Sequence, residues 1–387
     1  PYHEELKNAG ACFGAVAGYE RPMWFARNGA EAKYEYSYNY QNWYPFVAYE
    51  TRNTRKNIGL FDLTPFSKFE LKGSKAHSEL QRICTANIKN EQGRTSYTQM
   101  LNKDGGIETD LTVVCLDQNY FRVVSSATVR EHDKHHILKH LDSNVEFKDV
   151  TEDHACLGVF GPKSRNLLTD IAGKYFETAN FPFATGKNIK ILNTNVWIQR
   201  LSYVGELGWE LYIPTKEAKT IYDTIVKEGV KYQICHAGVH AMDTLRMEKG
   251  YLHWGHDITP EENQYEAGLS FAISYKKNVN FIGKDALLKI KDKKPKKKFA
   301  IFSLKDNKPG FPLLLHDEPI LSDGKIIGRT TSGNYSFNFK KNMAFGYVNS
   351  GQNLQGKNIQ IEVAKIKYEA ILETRPLHDP ENKLLKS

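Results

Sequence analysis

Apolar and polar positions alternate with a period of two through residues 93–126, which predicts two strands closed by the glycine turn NKDGG. After the turn, Ile107 and Leu111 alternate with Glu108 and Asp110, so Asp110 lies on the polar side of an otherwise core-forming strand. Asp is uncommon in strands. Two interpretations stay open: a sheet-end carboxylate that is solvated or bonded to a neighbouring Thr, or a functional acid.

The elements around this hairpin recur once along the chain, and we infer an internal duplication. The first set is SKFEL, GSKAHSELQRI, SYTQML, IETDLTVVCL, YFRVVS and TVREHDKHHILKHL, and the second is CLGVFG, PKSRNLLTDI, NIKIL, VWIQRLSY, WELYIP and TKEAKTIYDTIVKEG. Strands and helices that are mixed with hairpins favour an α+β fold over a parallel doubly wound sheet.

The duplication predicts a second hairpin that also carries an acid. The hairpin at 97–114 would correspond to 197–213, where Glu210 follows a glycine turn and alternates with Trp209 and Leu211. Two equivalent hairpins could each direct one carboxylate into a pocket at their junction. The alternative is that both acids are ordinary sheet-end residues.

Four segments are predicted along the chain. Residues 1–45 are aromatic-rich without a clear period and are expected to form an irregular extension, 46–150 and 151–290 contain the two repeats, and 291–387 hold a lysine-rich linker and closely spaced β-type runs. Such short runs indicate a small barrel or sandwich. The basic stretch KIKDKKPKKK is interpreted as a solvated linker or as an attractor for a polyanionic ligand.

Composition narrows the class of protein. A chain of 387 residues with 40% hydrophobic and 12% aromatic residues is expected to fold into two or three domains. Five scattered cysteines without a CxxC pair favour a reducing compartment. No apolar run approaches the roughly 20 residues that span a bilayer, so we expect a soluble, cytoplasmic protein without a membrane partner. The net charge of +8 is not taken to indicate nucleic acid, because the basic stretch lacks aromatic residues.

Several common chemistries lack their motifs. No GxGxxG follows a strand, and neither a P-loop nor a GxSxG elbow occurs. His132, His136 and His140 share helical spacing but stand among charged residues, so no metal site is predicted. Arg246 lies on a short helix with apolar neighbours, where an Arg either pairs with a carboxylate for structure or holds a ligand.

Six blocks of the sequence together resemble a known family. They are ERPMWF, NIGLFDLTPFSKFEL, YTQMLNKDGGIETDLTV, LGVFGPKSR, SYVGELGWELYIP and MDTLRMEKGYLHWGHDITPEENQYEAGL. The family is that of the folate-dependent aminomethyltransferases, which includes the glycine cleavage T-protein and the folate-binding half of dimethylglycine and sarcosine dehydrogenases. ERPMWF and GHDITPEE resemble the dehydrogenase branch. Thr109 stands where a plain T-protein has a first acid, and His256-Asp257 stands in place of its GND motif.

The resemblance implies a three-domain cloverleaf that ends in a small β-barrel, with tetrahydrofolate bound between duplicated mixed α/β domains. The acid that matches Asp110 would lie beside the reacting nitrogens as the catalytic residue. The acid that matches Glu210 would bind the edge of the pterin ring. Tyr203, Tyr97 and Thr112 match further positions of the folate cavity, and Arg246 is a candidate ligand-holding residue.

The implied function is a tetrahydrofolate-dependent one-carbon transferase that forms 5,10-methylene-tetrahydrofolate from a methylated amine, such as dimethylglycine or sarcosine, or from a glycine-derived aminomethyl carrier. Two alternatives remain: a non-catalytic folate-binding or assembly subunit of a flavin-dependent demethylating dehydrogenase, and a same-fold methyltransferase or demethylase that acts on another methyl donor. Dehydrogenase-branch proteins usually carry an amino-terminal FAD domain, and this chain starts just after where that domain would end. We therefore expect no FAD on this chain and consider a separate FAD-containing subunit as a partner.

Overall fold

The computed structural model describes residues 1–351, 354 and 356–387. The α-helices in this part are α1 (His3–Asn8), α2 (Tyr44–Lys56), α3 (Ala76–Ile83), α4 (Arg130–His140), α5 (Ser164–Ala172), α6 (Ala218–Gly229), α7 (Val239–Lys249) and α8 (Lys284–Ile290). The strands before α7 are β1 (Ala11–Val16), β2 (Tyr19–Phe25), β3 (Ile58–Asp62), β4 (Ser67–Lys72), β5 (Thr95–Leu101), β6 (Ile107–Asp117), β7 (Tyr120–Ser125), β8 (Glu146–Asp149), β9 (His154–Phe160), β10 (Gly186–Ile191), β11 (Thr194–Gln199), β12 (Gly208–Pro214) and β13 (Ile234–His236). The later strands are β14 (Lys297–Leu304), β15 (Pro319–Ser322), β16 (Lys325–Ser336), β17 (Lys341–Asn349), β18 (Ile359–Val363) and β19 (Ile366–Glu373).

The first repeat forms a five-stranded antiparallel sheet in the order β5-β6-β7-β4-β8. Alternation along β6 sends Leu111 and Val113 to the face that packs with Leu80 of α3 and Ile137 of α4. That face is mostly apolar, as expected for a one-sided core, with Thr109 as its buried polar residue on β6. The opposite face of β6 carries Asp110.

The second repeat forms a six-stranded sheet in the order β10-β11-β12-β9-β3-β13. Its core face contacts α5 and α6 through residues such as Trp209, Leu211 and Ile213. β3 joins this sheet by pairing with β9 and β13, although its residues precede the first sheet in the chain. The strand of segment 46–62 thus belongs to the second sheet, although the domain predicted for 46–150 holds the first repeat.

The amino-terminal segment contains more regular structure than its sequence suggests. β1 and β2 form an antiparallel hairpin behind α1, so the expectation of an irregular extension is wrong for residues 3–25. The residues of ERPMWF lie in β2, with Trp24 fully buried. The aromatic residues that hide a period of two are therefore core residues of a strand.

Residues beyond the lysine-rich stretch form a closed barrel in the order β14-β17-β16-β15-β18-β19. The predicted α+β class and the carboxy-terminal barrel are both confirmed, and the barrel is chosen over a sandwich because β14 pairs with β17 on one side and with β19 on the other. The stretch called a linker is partly structured, since α8 ends at Ile290 and β14 begins at Lys297.

In the part of the chain that the structure describes, no helix has both the length and the apolar character needed to cross a membrane. All five cysteines are buried free thiols.

Candidate functional site

The two predicted hairpins carry their acids at matching positions. In β5 and β6, Gln99 is the direct partner of Asp110, and in β11 and β12, Gln199 is the direct partner of Glu210. Directly opposed residues of an antiparallel pair share one face of the sheet. Each acid therefore stands beside a glutamine on the face away from the helices of its own repeat.

These two faces are directed at each other. Val114 and Leu116 share the face of Asp110, while Trp197 and Tyr212 share that of Glu210. All four side chains belong to one buried cluster between the sheets. The acids therefore border the same inter-sheet layer.

Asp110 is held by its glutamine partner. Gln99 Nε2 donates to Asp110 Oδ1 at 2.7 Å. Burial raises the pKa of Asp110 to about 6, and the Gln99 amide and the Tyr97 hydroxyl offset part of that rise. The residue is nevertheless only half-buried by its surface exposure. A carboxyl with a pKa near 6 can hold a negative charge or accept a proton close to neutral pH.

Glu210 has one donor and spare acceptor capacity among the described residues. The Tyr212 hydroxyl donates to Glu210 Oε2 at 2.7 Å. Burial raises the pKa of Glu210 to about 7, and the bond from Tyr212 opposes that rise. Beside it, the amide nitrogen of Gln199 is buried without a hydrogen-bond partner. A carboxylate with free lone pairs next to an unpaired donor suits a ligand edge that offers adjacent N–H groups and a carbonyl.

Three more of the predicted site residues lie around Asp110. Thr112 is the direct partner of Tyr97 and shares its sheet face. The Tyr97 residue is 37% exposed and its ring stacks on Phe271, with 6.1 Å between centroids. The Tyr203 hydroxyl donates to the carbonyl of Leu252 at 2.8 Å. Burial, together with charges that include that of Asp110, raises the pKa of Tyr203.

Arg246 has protein partners for all three of its guanidinium nitrogens. Nε donates to Asp243 at 2.8 Å, Nη1 to Asp257 at 2.6 Å and Nη2 to Ser332 at 2.8 Å. Ser332 belongs to the barrel strand β16, so the network fastens the barrel to α7. The geometry favours the structural interpretation of Arg246, whose side chain is 2% exposed.

The sequence interpretation missed the glutamines. Gln99 accepts at its Oε1 from Gln264 Nε2 at 2.6 Å, and Gln264 also donates to Thr85 at 3.0 Å, so the partner of Asp110 is fixed in turn. The sequence does mark these glutamines as equivalent, because an aromatic residue precedes each by two positions. These aromatic residues are Tyr97 and Trp197. Comparison of the two repeats position by position would have found them.

The helical histidines have other partners. His132 contacts Asp133 and Glu108 at 3.1 and 3.2 Å, and the His140 ring contacts the carbonyl of His136. Among the described residues there is no group of three or more His, Cys, Asp or Glu side chains arranged to hold a metal ion.

Comparison with known proteins gives consistent matches. Residues 2–277 match the family described as the GCVT N-terminal domain, and residues 297–379 match the glycine cleavage T-protein C-terminal barrel domain. A 4-methylaminobutanoate oxidase (formaldehyde-forming) of Paenarthrobacter nicotinovorans is 35% identical over 100% of this chain and 46% of its own length. The mitochondrial dimethylglycine dehydrogenase of Homo sapiens is 32% identical over 94% of this chain and 42% of its own length.

The chain thus spans slightly under half the length of these curated relatives. Among solved structures, the glycine cleavage system aminomethyltransferase T from Bartonella henselae superposes with a TM-score of 0.85 at 23% identity and covers 98% of both chains. At that identity the likeness shows a shared fold. It includes both repeats and the barrel.

Proposed function

The chain belongs to the glycine cleavage T-protein family, and from that premise we propose that it is a tetrahydrofolate-dependent transferase of one-carbon units carried on methylated amines. The observation that carries the proposal is the pair of equivalent glutamine–acid partners, Gln99 with Asp110 and Gln199 with Glu210, on facing sheets. In the first pair the glutamine amide donates to the acid, whereas in the second a tyrosine donates to the acid and the glutamine amide has no partner among the described residues. That difference suits one reacting group and one ligand-holding group.

The residues around Glu210 fit the pterin of tetrahydrofolate. An amino-pyrimidinone edge presents two adjacent N–H donors and a carbonyl, which matches the free lone pairs of Glu210 and the unpaired amide nitrogen of Gln199. Because a buried amide without a partner is costly, a ligand that pairs with it gains affinity. When bound, tetrahydrofolate supplies the nitrogens that take over a CH₂ unit from an iminium ion, giving 5,10-methylene-tetrahydrofolate and the protonated demethylated amine.

Asp110 has the role of an anion beside a cationic carbon. With a pKa of about 6, it is mostly ionised at pH 7.5. The amide of Gln99 donates to one carboxylate oxygen and fixes the position of the group. A fixed charge in a site that excludes most water stabilises developing positive charge more strongly than bulk solvent does. Asp110 would also take a proton from a folate nitrogen and pass it to the departing amine.

The substrate class is an N-methylated amino carboxylate oxidised to its iminium form by a flavoprotein. The relatives bear the names of a 4-methylaminobutanoate oxidase and a dimethylglycine dehydrogenase, and both extend well beyond the matched half. We propose that an FAD-containing domain or subunit performs the oxidation and that this chain captures the carbon. Capture prevents hydrolysis of the iminium ion to formaldehyde.

The test combines binding with product analysis. Anaerobic calorimetry with tetrahydrofolate should show one site per chain. With dimethylglycine, sarcosine or 4-methylaminobutanoate and a flavoprotein that oxidises it, the chain should raise 5,10-methylene-tetrahydrofolate and lower free formaldehyde. A formaldehyde trap and the Asp110→Asn variant control for the uncatalysed reaction. No folate binding would reject the site, whereas binding with no rate gain over Asp110→Asn would favour a non-catalytic folate-binding subunit.

A further inference from the structure

A second cavity of about 290 Å³ lies in the same inter-sheet layer. Its walls come from both repeats: Tyr120 and Arg122 of β7 face Trp197 of β11 and Tyr212 of β12. His154, at the start of β9, also lines it. Because Glu210 lies two residues before Tyr212 on the same face of β12, this cavity occupies the end of the layer beyond Tyr212.

Arg122 lines this cavity, and its guanidinium group is only partly hydrogen-bonded within the protein. The residue is 4% exposed, and its Nε and Nη2 both donate to Glu70 Oε1, at 3.1 and 2.6 Å. Its Nη1 is buried and has no hydrogen-bond partner. Because a guanidinium offers five N–H groups in a planar fork, the unused side can bind a carboxylate.

His154 adds a second unsatisfied group at the same wall. Its Nδ1 is buried without a hydrogen-bond partner. Burial and the nearby Arg122 cation lower the pKa of His154 to about 4, so the ring is neutral at physiological pH. A neutral imidazole in the Nδ1–H tautomer can donate one hydrogen bond. Arg122 and His154 both line this small cavity, and each carries a buried nitrogen without a hydrogen-bond partner among the described residues.

The rest of the lining sets the size and character of the occupant. The indole of Trp197 and the ring of Tyr120 provide flat apolar walls, and the side chains of Asn188 and Asn195 stand at the cavity as amide donors. Asp117 is the acidic residue of the lining and is exposed. Since a water molecule takes up about 30 Å³ in the liquid, the space suits a molecule of amino-acid size.

We propose that this cavity is a binding site for a small carboxylate of amino-acid size, whose carboxylate group accepts hydrogen bonds from Arg122 and His154. Tyr212 stands between this cavity and Glu210, because the residue lines the cavity while its hydroxyl donates to Glu210. The two sites therefore share a wall and can be occupied together. An amino acid would place its ammonium group toward Asp117.

The test uses trifluoroacetate as the probe, observed by ¹⁹F NMR, with acetate, glycine and methylammonium as competitors. We expect saturable binding that acetate and glycine displace and methylammonium does not. Addition of 5-formyl-tetrahydrofolate should leave the probe bound. Displacement by the folate in a one-to-one titration, or displacement by methylammonium alone, would overturn the proposal.

Two variants locate the probe. Arg122→Lys keeps a cation beside Glu70 but removes the fork and should weaken binding at least tenfold, whereas Arg329→Lys, at an arginine whose side chain is 66% exposed, is the matched control and should change nothing. Asn188 is an exposed lining residue, so Asn188→Trp fills the cavity without altering the core. It should abolish binding even if Arg122→Lys proves unstable. Retention of full affinity by Asn188→Trp would refute the site.

Discussion

The hairpins β5–β6 and β11–β12 have the same register and different surroundings. Gln99 lies opposite Asp110 in the first hairpin, and Gln199 lies opposite Glu210 in the second. The glutamine and the acid therefore occupy equivalent positions in the two hairpins. In the first, the glutamine amide donates to the acid. In the second, a tyrosine two residues along the strand donates to the acid, and the glutamine amide has no partner in the part of the chain that the structure describes.

On the proposed function, this difference lets two similar hairpins take two different tasks. A short acid that is bonded to a fixed glutamine keeps its position, and Gln264 fixes that glutamine in turn. A longer acid with free lone pairs, beside an unpaired amide, leaves its hydrogen-bonding capacity for a ligand. A carboxylate held in a fixed position is most useful where charge develops during a reaction. Unused hydrogen-bond acceptors and donors are most useful where a ligand binds.

The largest expected effect is on turnover, at Asp110. Asp110→Asn keeps the shape and removes the charge, so the rate of 5,10-methylene-tetrahydrofolate formation should fall by about 10² to 10⁴ while folate affinity stays nearly unchanged. Single-turnover rates and calorimetric titrations measure the two quantities. Asp104→Asn, at an exposed position in the turn of the same hairpin, is the control and should behave like wild type. Normal turnover by Asp110→Asn would contradict a catalytic role for Asp110. The two hairpins would then not differ in function as proposed.

The second expected effect is on binding, at Glu210. Glu210→Gln loses a charge-assisted bond to the pterin, which should weaken folate binding by about 1.5 to 3 kcal/mol, or roughly ten- to a hundredfold. Because the ligand needs the ionised acid and burial raises the pKa of Glu210 to about 7, wild-type affinity should rise with pH through that value. The variant should lack that pH dependence. The exposed Glu217→Gln is the control, and unaltered affinity in Glu210→Gln would place the pterin elsewhere.

Alternation and turn residues were sufficient to predict β4 to β7, the helices between the strands and most of the barrel. The same rule placed Asp110 and Glu210 on polar faces, because a period of two fixes the face of each residue along a strand. It could not show that β3 joins the second sheet, since that pairing joins residues about 100 to 175 positions apart. β1 and β2 were missed because aromatic residues on both faces hide the alternation.

Side-chain partners were harder to predict than strand faces. Arg246 lies on a helix of clear pattern, yet its partners Asp257 and Ser332 come from a loop and from the barrel. No local spacing encodes such a contact. The glutamines were missed for a different reason: Gln carries no charge and belongs to no catalytic motif, so its role appears only once the register pairs it with an acid.

A third prediction compares the two glutamines. Gln99→Met removes the donor that favours the ionised form of Asp110, so the pKa of Asp110 should rise and the midpoint of the pH–rate profile should move up by about half to one unit. Gln199→Met should leave that midpoint in place and weaken folate binding instead. Gln118→Met, in the exposed turn after β6, controls for the substitution. The same shift in both hairpin variants would mean that the glutamines do not have separate roles.

The smallest expected effect is on stability and follows from the raised pKa of Asp110. The carboxyl titrates near 4 in the unfolded chain and at about 6 in the folded protein. Its contribution to the free energy of unfolding is therefore fully present below pH 4 and is lost as the pH rises through 6. Asp110→Asn has no such loss. The free energy of unfolding of the variant should therefore equal that of wild type near pH 4 and exceed it by on the order of 1 kcal/mol at pH 7.5.

Urea unfolding at the two pH values measures this difference in stability, and Asp104→Asn is expected to show none. A variant that is no more stable than wild type at pH 7.5 would mean that Asp110 is well solvated, and the first hairpin would then hold its acid no more tightly than the second.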